Sequence, residues 1–117
     1  MAEKRALKRL EEFREEFGKM LNPVAFIKEK NEELCDAFLW LHELTVNEGA
    51  ISKKLKFLMH AAITASLHDV EATMMQLTGA TDREILETAF TIIPVAGMPA
   101  FAVFLNALKR VKPSLTP

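Results

Sequence analysis

From Glu3 to Leu21 the apolar positions Leu7, Leu10, Phe13, Phe17 and Leu21 recur at three- and four-residue steps among Lys, Arg and Glu. That spacing predicts a helix with one apolar stripe on a solvated body. Pro23 ends or redirects it. Asn31 is placed to cap a second helix in which Leu34, Phe38, Leu41 and Thr45 share a face, and Gly49 is expected to supply a left-handed stop. Ser52 opens a third helix. Between Phe57 and Leu67 it carries no formally charged residue, only His60, Thr64 and Ser66 being polar, so it is expected at the centre of the domain. Asp69 then caps a short fourth helix ending at Gly79, and Thr81 with Glu84 three residues later makes the capping-box pattern that starts a fifth. No strand-like alternation competes, and the expected class is all-α, with about five to six helices.

The run from Thr88 to Leu108 contains no charged residue, a length that could span a bilayer. Pro94 and Pro99 each remove a backbone donor, however, and Gly97 lies between them. The run therefore reads as two helices joined between Ala96 and Pro99, with Pro99 as the first residue of the last one. Burial between subunits is the expected fate of so much apolar surface, and no membrane contact is expected.

Composition narrows the classes further. A chain of 117 residues predicts one domain spanning 1–117. Fifteen basic and sixteen acidic residues leave a net charge of -1, which gives no footprint for nucleic acid or anionic lipid. Cys35 is the one cysteine, so no intrachain disulfide forms, and the charged amphipathic start is unlike a signal peptide, so a cytoplasmic location is expected. The chain has no glycine-rich phosphate loop, no G-x-S-x-G elbow and no H-E-x-x-H helix, and no cofactor is expected.

Several junctions are informative when taken in order. Asn22-Pro23 is followed by a helix closing at Val46-Asn47-Glu48-Gly49 and by Ala50-Ile51-Ser52-Lys53-Lys54. Gly79-Ala80-Thr81-Asp82-Arg83-Glu84-Ile85-Leu86-Glu87 and Gly97-Met98-Pro99-Ala100 come next. In order and spacing these resemble the core of the carboxymuconolactone decarboxylase and alkylhydroperoxidase D-like family, over most of the chain beyond its first helix. The resemblance implies an alkylhydroperoxidase D-like helical domain that forms homo-oligomers, from a dimer to a trimer of dimers. Thiol-active members of that family place a glutamate, a C-x-x-C pair and a histidine on the third helix. Here Phe57 stands near the glutamate's place, Thr64 and Leu67 near the cysteines and Glu71 near the histidine, so thiol-dependent peroxide reduction is not expected. Cys35, on another helix, reads as a small core residue.

What remains is a polar line. His60, Thr64, His68 and Glu71 are four, four and three residues apart, which puts them on one face if the helix continues past Asp69. The lactone-decarboxylase branch that the chain resembles uses no thiol but an acid-base site. This implies His60 or His68 as proton donor, with Glu71 or Asp69 as partner, acting on a small organic acid or lactone. The alternative is a non-catalytic homo-oligomeric module that keeps the fold and binds a small molecule or a protein, with His60 hydrogen-bonded in the core. A metal is not expected: His60 and His68 lie about 12 Å apart along a helix, and His68 with Glu71 offers two ligands only. His42, beside Glu43, reads as a surface residue. Met59, Met74, Met75, Met98, Phe90, Phe101 and Phe104 read as packing at helical spacing.

Overall fold

The structure, a computed structural model, describes residues 2–17 and 22–116. These residues form helices and connecting turns with no strand among them, so the chain is all-α. The elements are α1 (Ala2–Phe17), α2 (Asn22–Lys30), α3 (Glu32–Val46), α4 (Lys53–Ser66), α5 (Val70–Gln76), α6 (Asp82–Val111) and a 3-10 turn, Pro113–Leu115. They group into two compact units, Met1–Asn47 and Glu48–Pro117.

In the N-terminal unit, Leu10 and Phe13 of α1 pack against Val24 of α2 and against Cys35 and Leu39 of α3. Leu7 of the predicted stripe is instead largely exposed, and Phe17's side chain and Leu21 lie outside the described set. Pro23 occupies the second position of α2, where a missing N–H costs no helical bond. This helix is one that periodicity did not separate from its neighbours. The Asn31 side chain accepts from the Leu34 amide at 3.0 Å, the expected cap of α3. The face of α3 differs from expectation: Cys35, Leu39 and Val46 are buried, while Leu34, Phe38 and Leu41 are exposed. Two apolar stripes run down this helix one residue out of phase, and the partners α1 and α2 select between them. Across α1 and α3, Arg9 pairs with Asp36 and Glu43 and lies 4.3 Å from the centre of the Trp40 ring. His42 is half-buried rather than on the surface, its ring edge-on to Phe13 at 5.1 Å. Gly49 does not adopt the left-handed conformation; α3 ends at Val46, capped through Asn47.

The C-terminal unit starts at a Ser52 cap, whose hydroxyl accepts from the Leu55 amide. Its core comprises Leu58, Ala61 and Ala65 of α4, Leu77, and Ile85, Ala89, Ile92, Ala100, Phe104, Ala107 and Leu108 of α6. The expectation that α4 is central is met on one side only. Leu58, Ala61 and Ala65 are buried, yet Leu55, Met59, Ile63 and Leu67 are exposed, because neighbouring helices of the unit cover only part of its circumference.

Helix α6 is a hairpin. Gly97 has φ 85° and ψ 175°, outside the helical region, and separates an arm over 82–96 from an arm over 98–111. A straight 30-residue helix would hold its ends about 45 Å apart. Here Lys112 Nζ lies 2.6 Å from Asp82 Oδ1, and the Phe90 and Phe101 rings stand 6.2 Å apart. The expected break between Ala96 and Pro99 is thus present. By length and composition α6 is apolar enough to cross a membrane, with a mean hydropathy of 1.9 over its most apolar window. Each arm, however, rises only about 21–23 Å, short of the ~30 Å hydrocarbon core of a bilayer.

Lys54, at the start of α4, pairs with Glu84 at the start of α6 at 2.8 Å, so α4 and the first arm run in the same direction. The arrangement is up-down-up-down: α4, α5, first arm, second arm. One end gathers Lys54, Asp82, Glu84 and Lys112. The opposite end presents Val95, 90% exposed, and Met98, 60% exposed, at the hairpin tip.

Candidate functional site

The predicted polar line does not lie on one continuous helix. Helix α4 ends at Ser66, and His68 takes φ 60°, the left-handed position that terminates the turn. The Asp69 carboxylate then caps α5 through the Ala72 amide at 2.9 Å. His68 and Glu71 are exposed, and His60 is half-buried with its ring edge-on to Phe57 at 6.2 Å. Among the described residues no hydrogen bond or ion pair joins His60, His68 and Glu71, and no group of three or more His, Cys, Asp or Glu side chains could hold a metal.

The fourth member of the line has a structural partner. Thr64 Oγ1 lies 2.9 Å from Thr73 Oγ1, and Thr73 Oγ1 lies 2.7 Å from the Asp69 carbonyl. Thr64 Oγ1 also sits 3.1 Å from the Ala61 carbonyl. Two hydroxyl hydrogens cannot serve three contacts. The two shorter ones form a chain in which Thr64 donates to Thr73 and Thr73 donates to the Asp69 carbonyl. Thr73 is fully buried, so this chain satisfies a hydroxyl that burial would otherwise penalise. It ties the end of α4 to α5 on the flank that also carries His60.

On the other flank of α4 a groove runs between that helix and the first arm of α6. It has a volume of about 610 Å³, within the usual range for small-molecule sites. Leu55, Leu58, Met59 and Ala62 form its apolar wall, and Glu84, Glu87, Thr88 and Thr91 face them. Residues 84, 87, 88 and 91 share one helix face, whereas the core positions Ile85, Ala89 and Ile92 lie on another. Sequence reading did not single out this groove. The signal was present as an i, i+3, i+4, i+7 set of polar residues on a helix whose other faces are apolar.

Glu84 is held by three interactions. One carboxylate oxygen accepts from Lys54, and the other accepts from the Thr81 amide at 2.9 Å, while the Glu84 amide donates back to the Thr81 hydroxyl. This is the capping box expected from Thr81 and Glu84. The Lys54 ammonium first, then the Thr81 amide and hydroxyl, hold the carboxyl at about 2, below the ordinary 4.5. A folded-state value below the unfolded one gives stability that is present above about pH 4.5 and lost as pH falls towards 2. Thermal melts of Glu84→Gln and the parent should therefore differ at pH 6 and converge near pH 2; a gap that persists at pH 2 would exclude this linkage.

Cys35 lines a separate, open pocket of about 280 Å³ in the N-terminal unit, together with Leu10, Lys28 and Asp36. Its side chain is buried, and burial pushes the thiol's pKa up against the opposing pull of Lys28. A raised pKa keeps the thiol in its protonated, less nucleophilic form.

Compared with protein-family models, with curated proteins and with solved structures, the chain matches none.

Proposed function

We propose that the chain is a self-associating helical module, an alkylhydroperoxidase D-like scaffold without thiol chemistry, whose work is binding rather than turnover. The observation that carries this reading is the α6 hairpin. Its charge-free run leaves Phe90 55%, Val95 90% and Met98 60% exposed, apolar surface of the kind that marks an interaction site. The junctions that prompted the resemblance support the scaffold assignment: a left-handed Gly79, the Thr81–Glu84 capping box, and a helix break at Gly97 followed by Pro99. The binding reading also accounts for His60, His68 and Glu71 standing without mutual contacts.

On this reading copies of the chain cover one another's apolar surface in the cytoplasm, and lipid has no part. Light scattering on the purified protein should give a mass at least twice the 13.2 kDa of the chain. The double substitution Val95→Asp and Met98→Asp should shift it to the monomer with helical circular dichroism unchanged, because both side chains are exposed within the unit. A monodisperse monomer at micromolar concentration would overturn the proposal.

A further inference from the structure

We propose that the groove between α4 and the first arm of α6 binds an apolar amine in its ammonium form. The inference builds on the reading of the chain as a binding module, but it rests on a different surface and a different observation, the hydrogen-bonding character of the groove. The wall of Met59, Ala62 and their neighbours supplies apolar contact. Every polar group opposite them is an acceptor. Thr88 Oγ1 donates to the Glu84 carbonyl at 2.7 Å and Thr91 Oγ1 to the Thr88 carbonyl at 2.6 Å, so each hydroxyl has used its one hydrogen and offers only lone pairs. Main-chain amides within the helix are likewise committed to it. Glu84 is neutralised by Lys54, whereas Glu87 is exposed and, among the described residues, has no ion pair or hydrogen bond.

The groove's lining thus carries surplus negative charge and no free donor of its own, the Lys54 ammonium at its edge being drawn to Glu84. An organic acid, the ligand class that the family resemblance implies, would bring a third carboxylate there, where the one nearby cation, Lys54, is already paired with Glu84. A ligand with an alkyl or aryl body and an ammonium head satisfies both walls at once: the body lies along α4, and its N–H groups meet Glu87, Thr88 and Thr91. Phe90, at i+3 from Glu87, borders the groove without lining it, so amine binding and self-association use different residues of α6.

The test is calorimetric titration of the 117-residue chain at pH 7 with n-octylammonium, octanoate and octan-1-ol, which share an apolar body and differ in the head group. Saturable binding of octylammonium, at least about tenfold tighter than either of the others, is expected. Glu87→Lys, an exposed substitution, should weaken octylammonium at least about fivefold and improve octanoate, and Glu87→Gln should give an intermediate loss. Ala62→Phe, which fills the groove and leaves every charge in place, should remove binding of all three. Equal affinity for the three probes, no saturation by octylammonium, or a Glu87→Lys protein that binds octylammonium like the parent would each overturn the proposal. Light scattering on the same samples reports self-association separately, so the failure of one reading is distinguishable from the failure of the other.

Discussion

Replacing Gly97 by alanine is expected to destabilise the C-terminal unit by about 1–3 kcal/mol. The obstacle is not space: a Cβ at this position would meet Pro99 Cδ at 3.6 Å, an ordinary contact. The obstacle is the backbone, since φ 85° with ψ 175° belongs to a region that L side chains reject. That conformation turns the chain back on itself, and the contact of Asp82 with Lys112 and the joint burial of Ile85 with Leu108 both follow from it. Gly49→Ala is the control, because Gly49 lies outside the left-handed region and its added Cβ would meet nothing nearer than Lys56 Nζ at 3.9 Å. Thermal melts should show Gly97→Ala lower by about 4–8 °C for each kcal/mol lost, and Gly49→Ala within error of the parent. Two equal melting points would refute the account of the turn.

The two glycines also show where sequence reading succeeds. Caps were legible at Asn31, Ser52, Asp69 and Thr81, because each is settled by one side chain reaching an amide two or three residues away. The break at Gly97 was legible because two prolines and a glycine within six positions leave a continuous helix few ways to persist. Whether Gly49 would be left-handed was not, since α3 stops earlier and an extended Asn47 does the work that the glycine was expected to do.

Faces were harder to read than ends. In α3 the stripe of Leu34, Phe38 and Leu41 and the stripe of Cys35 and Leu39 are both apolar, and only packing against α1 and α2 decides that the second points inward. The candidate site failed to assemble for a related reason. A line from His60 to Glu71 requires unbroken helical phase, and the left-handed turn at His68 resets that phase before Glu71 is reached. Conversely, the groove depends on two helices running in the same direction, a relation set by the intervening α5 and invisible in the periodicity of either helix. Its polar residues lie on a helix read, correctly, as mostly apolar. Their meaning comes from what stands opposite.

The same limit separates two phenylalanines in the charge-free run, and the separation yields the largest effect expected in this protein. Phe104 is fully buried in the core with Ile85, Ala100 and Leu108, whereas Phe90 is 55% exposed. Phe104→Ala removes a ring from a closed site lined by both arms of α6 and by α4, and should cost about 3–5 kcal/mol, the transfer of the lost atoms plus the cavity they leave. Much of the stability of a domain this small is of that order, so the C-terminal unit should be largely unfolded near 37 °C. Phe90→Ser removes the ring contact with Phe101 but no fully buried side chain, and should leave the isolated fold within about 1 kcal/mol of the parent. If copies of the chain meet through the hairpin, however, Phe90→Ser should weaken their association, which light scattering over a dilution series would register as a monomer appearing at higher concentration. Denaturant melts give the first quantity and dilution the second. A Phe104→Ala protein as stable as the parent would place that ring outside the core and overturn the packing described for both arms.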